Sequence, residues 1–448
     1  MTPAHELSEE SKPRGQDEGA RHRVNKRAFL AGAAACLAAP YVHAAAPVEL
    51  RMSWWGGSDL HKAQLVALRR FEARHPNIRV RAEYTGWAGH LERLTTQIAG
   101  NTAPDLMQIN WSWLVLFSLD GRGFYDLGKL AGELDLGPFA ADALSFGTIA
   151  GKLNGLPITN SARLFFYNAS TYERAGLRLP ASWDELFAAG PIFRDQLGPG
   201  YYPLSLNLQE MTAVGRTWLL QRSGKPLVDE RARRLNATES DMQELAALYR
   251  RLVAEHVIPP VEELASYGNV PLQEMRSWID GRYAGVHQWM SAIGRAVDTL
   301  APGQRVELGG FPMRAGAVDA GLHCRPASLY AINADTKHPN EAAVLLNFLL
   351  HDEEAVRTLG LKRGPPVSAR ALQTLAADGK LTGITWQGAE QVRTLPNHIH
   401  ESGFFEHPRV RDAFMDVLEL LGYGRLDVAA AGTRMYEDIN QILRRVIR

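Results

Sequence analysis

Cysteine is nearly missing from this chain: there are two in 448 residues, Cys36 and Cys324. Cys36 lies in a stretch that reads as a removable leader, so Cys324 is left alone and no intrachain disulfide can form. A surplus of charge is missing as well, because 49 basic and 49 acidic residues cancel. That excludes the basic footprint of a nucleic-acid binder and the polybasic tail of a peripheral membrane protein. The most apolar run, AGAAACLAAPYVHAAA, is broken at Pro40 and is too short to span a bilayer. Internal repeats, low-complexity tracts and long Ser/Gly linkers are absent. So are the short signatures of common chemistries. There is no GxxxxGKS or GxxxxGKT phosphate loop, and Gly121-Arg122-Gly123 lacks a third glycine and a strand–helix setting. There is no HExxH or CxxC metal motif and no Gly-x-Ser-x-Gly elbow.

What is present is an ordinary globular composition, 46% hydrophobic and 22% charged, in a chain longer than one core comfortably fills. Two or more domains are expected. Residues 1–24 are polar and without period and read as disordered. Asn25-Lys26-Arg27 and the apolar run after it make a secretory signal over 1–46, with cleavage after Ala44 or Ala46. The pattern resembles a twin-arginine signal with Lys26 in place of the first arginine, and the general secretory route fits equally. Cys36 lacks the preceding leucine of a lipoprotein signal, which argues against lipidation.

The organising stretch is Val48 to Trp113. VELRMSWW is a β-prone run stopped by Gly56-Gly57; Leu60, Leu65, Leu68 and Phe71 follow at helical spacing; IRVRAEY alternates as a half-buried strand does. Leu91, Leu94 and Ile98 mark a second helix, and LMQIN a third strand. This is the grammar of a parallel sheet with crossover helices. Further on, RLFFYN, Tyr283–His287, Val306–Phe311 and LHCRPASLYAIN read as strands. Ser170–Ala175, Leu208–Gln221, Thr238–His256, Leu272–Asp280 and Pro339–His351 read as helices, and Ser182 with Glu185 three residues on marks a helix start. After KRGPPVS the chain reads as mostly helical.

Ligands in open α/β sheets bind outside the carboxyl ends of the strands. Trp54-Trp55-Gly56-Gly57 and Asn110-Trp111 stand at two such ends, and Trp289 at a third. Flat aromatic faces beside fixed amide groups suit the C–H faces and hydroxyls of sugars. A lone tryptophan usually packs in a core, but paired ones beside Asn110 and a Gly-Gly turn favour a site. Trp55, Trp111 and Trp289 are the expected platforms. Trp183 and Trp218 lie in helical patterns and are expected in the core, and Trp87 suits either role. Gly56 and Gly57 would let the backbone approach a ligand, although a tight turn needs glycine equally. His398, His400 and His407 with Glu401 and Glu406 lack a metal-site spacing, so neither metal nor cofactor is expected.

Read together, "WWGG", "RFEARHPNIRV", "LTTQIAGNTAPDLMQIN", "LNGLPI", "FFYNASTYERAGLRLPASWDEL" and "DTKHPNEAAVLLNFLL" resemble the extracellular solute-binding proteins of sugar ABC transporters. AGPIF, YYPL and GLKRGPPVS more narrowly resemble the oligogalacturonide (pectin-fragment) binders of that family. The resemblance implies an α/β fold of the type II periplasmic binding kind, two lobes with a ligand cleft between them. The lobes would comprise 47–158 with 320–366, and 159–319 with 367–448. It implies a monomer in the periplasm that hands a carbohydrate, such as a uronic-acid oligomer, to a membrane permease, with no nucleic acid involved. Arg163 and Arg325 would stand beside the crossings between lobes, where guanidinium groups suit carboxylates. Arg363 is a further candidate, and a hinge-bracing salt bridge is the plainer role for any of the three. The competing functional reading is a secreted glycosidase or lyase, which would use the same platforms. The sequence marks no carboxylate pair for it.

Overall fold

The computed structural model describes residues 47–268, 270–395 and 401–447, so the expected signal segment lies outside the described residues, as do His398 and His400. Residues 47–447 gather around one seven-stranded sheet. Its strands are β1 (Val48–Trp55), β2 (Ile78–Thr85), β3 (Leu106–Ile109), β4 (Leu156–Asn168), β5 (Gly285–Trp289), β6 (Val306–Leu308) and β7 (Cys324–Ile332). The order is β6-β4-β7-β3-β1-β2, with β5 on the other side of β4. β1 pairs in parallel with both β2 and β3. The crossovers are α1 (Ser58–Arg74), which places Leu60, Leu68 and Phe71 on its buried face, and α2 (His90–Ala99). β7 runs antiparallel to both β3 and β4.

β4 organises the rest. The sequence suggests a crossing between lobes near Pro157–Asn160, and there one 13-residue strand runs through, with every position buried except Asn160. A strand covered on both faces reads as a continuous apolar run. Its two halves serve different cores. Leu156 and Ile158 pack with Leu50, Trp54, Phe71, Leu346 and Leu349. Leu164, Phe165, Phe166 and Tyr167 pack with Trp183, Leu245, Phe414 and Leu443. β7 changes core as well: Leu322, just before it, belongs to the larger core, and Tyr330 and Ile332 to the smaller. The change falls at the register shifts around Ser328, later than the expected residue 320. A third segment joins them, where Thr159 bridges Pro366 and Val367 N–H donates to Ile158 O.

The helices follow their patterns. α3 (Leu208–Ser223) and α4 (Glu239–Ala254) begin with reciprocal capping boxes, at Asn207/Glu210 and Thr238/Asp241. Ser182 caps its helix as read, accepting from Glu185 N–H. A short α5 (Ile293–Val297) follows β5, and α6 (Pro339–His351) carries the expected apolar face. After α7 (Glu353–Leu359), α8 (Ala369–Ala377) packs Ala371 and Leu375 against Val356. The expected break at 366/367 therefore does not coincide with the change of neighbours, and residues up to α8 stay beside α6 and α7. α9 (Gly383–Thr394), α10 (Pro408–Gly422) and α11 (Val428–Val446) pack on the larger core.

Candidate ligand site

Strand register brings three of the expected residues, Arg163, Trp289 and Arg325, together. Arg163 on β4 lies directly opposite Trp289 on β5, and Ser161 directly opposite Arg325 on β7. Opposed residues share a face, and 161 and 163 alternate onto the same one. The Trp289 ring consequently has two guanidinium groups over it, Arg325 at 4.4 Å and Arg163 at 4.9 Å. Arg325 also lies 5.8 Å from the Trp111 ring. Ser161 Oγ bonds Ser291 Oγ at 2.9 Å, and Gly364 approaches Ser291 so closely that a Cβ would sit 3.3 Å from its side chain.

Arg325 is not a free anion receptor. Its Nε and Nη2 donate to the two carboxylate oxygens of Glu406, each at 2.6 Å, and its Nη1 to Pro326 O. His323 Nε2 lies 3.0 Å from the same carboxylate. Burial alone would raise the Glu406 carboxyl, but the charges and hydrogen bonds of Arg325 and His323 outweigh it and hold the group well below the usual range. Glu406 ends a short turn, Gly403–Glu406, whose Phe404 and Phe405 enter the larger core and whose Gly403 rests on Val115 and Trp111. Upstream of that turn, Glu401 meets a fully buried Arg216 and accepts from Leu227 and Val228 N–H. Neither glutamate is placed for a metal, and His407 caps α10. Among the described residues there is no metal-ligating cluster.

Arg163 is buried and donates Nη1 to His287 O at 3.0 Å. Burial pulls its pKa down, while Glu210 and Glu406 pull it up. Arg363 differs again. Its Nη1 donates to the Tyr330 hydroxyl, while its Nε and Nη2 are buried with no partner among the described residues. It lies close enough to His61 on α1 to depress that imidazole, after burial the main cause. Arg295 on α5 has its side chain beside Gly57, 3.8 Å from where a Cβ would stand.

Four expectations are corrected in role. Trp54 is fully buried, stacks on Tyr84 at 5.0 Å and donates Nε1 to His61, so it offers no face to a ligand. Gly56 is required by packing, since a Cβ would come within 2.6 Å of Leu60 on α1. Asn110 is buried, and its side-chain oxygen accepts from Ser112 N–H and Oγ–H, capping the Trp111–Trp113 turn. Arg325 is committed to Glu406. Trp55, Gly57, Trp111 and Trp289 stay half-buried rather than sealed. Trp111 is held by its Nε1–H to Phe146 O. Trp183 is buried, and Trp218 packs on it at 5.3 Å. Burial pushes the Cys324 thiol up to about 11, which leaves it a poor nucleophile.

Residues 57–356 match the family described as bacterial extracellular solute-binding protein. The chain belongs to that family. This solute-binding protein is 42% identical to a periplasmic oligogalacturonide-binding protein from Yersinia enterocolitica solved with saturated digalacturonic acid, over 90% of this chain and 100% of that one, with a TM-score of 0.86. It is 38% identical to a periplasmic solute-binding protein from Pectobacterium atrosepticum, with the same coverage and a TM-score of 0.87. A putative binding protein from Brucella abortus is 31% identical over 209 residues, so the chain spans about half (50%) of that curated relative's length. An uncharacterized ABC transporter extracellular-binding protein from Pyrococcus horikoshii is 24% identical, over 69% of this chain and 70% of that protein. Arg363 and Glu406 lie beyond the matched range of the family. Among the described residues no helix is long and apolar enough to cross a membrane.

Sequence reasoning named Glu406 only within a group set aside as metal ligands, and it missed the roles of His323 and Arg295. Glu406 lies 81 residues from Arg325, and no local pattern links them. Arg295 is an isolated surface cation by pattern. The buried histidines carry a pH consequence. Burial pushes His90 from 6.5 down to about 4. It pushes His323 from 6.5 down to about 3, Glu406 raising and Arg216 lowering it further. The unfolded chain then binds more protons than the folded one below about 6.5, so stability is full above that value and falls towards pH 4. Glu406 adds to the loss below its unfolded pKa of about 4.3. Thermal melts across pH 8 to 4 should show a plateau, then a steady fall from about pH 6.5. A melting temperature level down to pH 4 would contradict the assignment.

Proposed function

We propose that the chain is the substrate-binding component of an ABC importer and captures an acidic oligosaccharide of the oligogalacturonide class in the periplasm. The two cores are the cores of two lobes, joined by β4, β7 and the 362–368 segment, and the ligand is held where Trp55, Gly57, Trp111, Arg163, Trp289 and Arg325 converge. The observation that carries this reading is Arg363. A guanidinium edge buried without a protein partner is costly unless an anion meets it. Carboxylates are the natural partner for such a fork. The similarity to the Yersinia protein supports the same ligand class. The protein acts as a monomer that closes on its ligand and docks on a permease; it binds rather than cleaves.

Calorimetric titration of the whole chain with digalacturonate, with its dimethyl ester and with neutral disaccharides tests this. The acid should bind at least about 30-fold more tightly than the ester, the lower limit expected when a buried charge loses its partner. Equal affinity for acid and ester would remove the acidic-ligand reading, and binding of neutral sugars alone would redirect the assignment.

A further inference from the structure

Resting on that reading, we propose that Trp87 forms an outer subsite that takes a third sugar ring, so that the protein favours trimers and longer chains over the dimer. Trp87 is the one tryptophan among the described residues that is exposed, at 54%. It stands just beyond the end of β2, whose last residue Thr85 is paired with Trp55 at the end of β1. The backbone beside it stands in open space at two points: a Cβ at Gly86 or Gly89 would meet nothing within 4 Å, and Gly89 turns the chain at φ +76°. The indole itself is held firmly from below. It lies 5.6 Å from Trp113 at 21°, so one face is covered, and 5.3 Å from Trp55 at 70°, which props its edge. Beneath them His90 stacks on Trp113 at 19°, and its Nδ1 is tied to Thr85 Oγ1 at 2.7 Å. His90 and Trp113 are both buried.

An aromatic ring that served only the core would be covered on both faces. This one presents a single free face on an ordered base of two further tryptophans, which removes the ordering cost a mobile side chain would carry into binding. One indole face is far smaller than a protein interface, which needs about 1,000 Å² or more. It matches the C–H face of one pyranose ring. Trp55 belongs to the central site and touches Trp87, so a chain leaving that site past Trp55 meets Trp87 next. The occupant is therefore another ring of the same oligosaccharide, not a separate ligand.

Titrating the full chain and its Trp87→Ala and Trp87→Phe variants with galacturonate dimer, trimer and tetramer tests the subsite. The wild type should bind trimer about 5- to 10-fold more tightly than dimer, the gain expected of one stacked ring. In Trp87→Ala the trimer-to-dimer ratio should fall close to one, and Trp87→Phe should keep most of it. Thermal melts of both variants check that the fold is unchanged. A wild type that binds dimer and trimer equally overturns the subsite alone, as does an undiminished ratio in Trp87→Ala. A wild type that binds no galacturonate oligomer overturns the functional reading and the subsite with it.

Discussion

Replacing Arg325 by alanine should destabilise the fold by about 3–5 kcal/mol, the range seen when one partner of a buried ion pair is removed. The Arg325 side chain is 6% exposed and the Glu406 side chain 19%, and they meet through two hydrogen bonds of 2.6 Å. Without Arg325, the Glu406 carboxylate is left with His323, an imidazole that is uncharged at neutral pH. Protonating Glu406 would relieve the charge but costs free energy at neutral pH, so the variant should recover part of its stability as the medium is acidified. Glu406→Ala alone strands the opposite charge. The double variant should be less damaged than the two single losses added together, the signature of coupled neighbours. Denaturant unfolding of the four proteins measures this. If Arg325→Ala unfolds like the wild type yet no longer binds digalacturonate, the guanidinium is a direct ligand group and the internal pairing is incidental.

Of the two roles the sequence left open for Arg325, carboxylate reader and bracing salt bridge, the pairing with Glu406 is the second. The position of Arg325 was legible because LHCRPASLYAIN has strand character and follows a loop. Its partner was not legible, because Glu406 sits in a short turn whose place is fixed by Phe404 and Phe405 entering a distant core. The alternation and helical spacing of Val48–Trp113 express local burial, so β1, α1, β2, α2 and β3 were readable one by one. β4 was harder. Its residues are buried almost throughout, which removes the alternation that marks strand limits, and only RLFFYN read as a strand although the pairing with β7 extends back through Pro157. Trp54 and Trp55 show the limit most plainly. Neighbours on a strand point to opposite faces. One of the two had to turn inward, and only the packing against Tyr84 and His61 shows that it is Trp54.

Replacing Arg363 by methionine should do the opposite of Arg325→Ala: the fold should hold and acidic ligands should be lost. Among the described residues Arg363 has no carboxylate partner, so its removal strands no buried anion there. Tyr330 loses one hydrogen bond, worth about 0.5–1.5 kcal/mol. Against that, two buried guanidinium nitrogens without partners disappear, which by itself favours the folded state. Denaturation should therefore show a change of about 1 kcal/mol or less. Binding should respond far more strongly. If the Nε/Nη2 edge receives a uronate carboxylate, its loss leaves that charge unpaired in an enclosed site and costs about 2–5 kcal/mol, a factor of about 30 to several thousand in affinity. The dimethyl ester carries no such charge and should lose little. Arg363→Lys should fall between the two, because the ammonium keeps the charge without the planar fork. An Arg363→Met protein that still prefers the acid over the ester as strongly as the wild type would move carboxylate recognition to Arg163 or Arg295, whose guanidinium groups bind no carboxylate among the described residues.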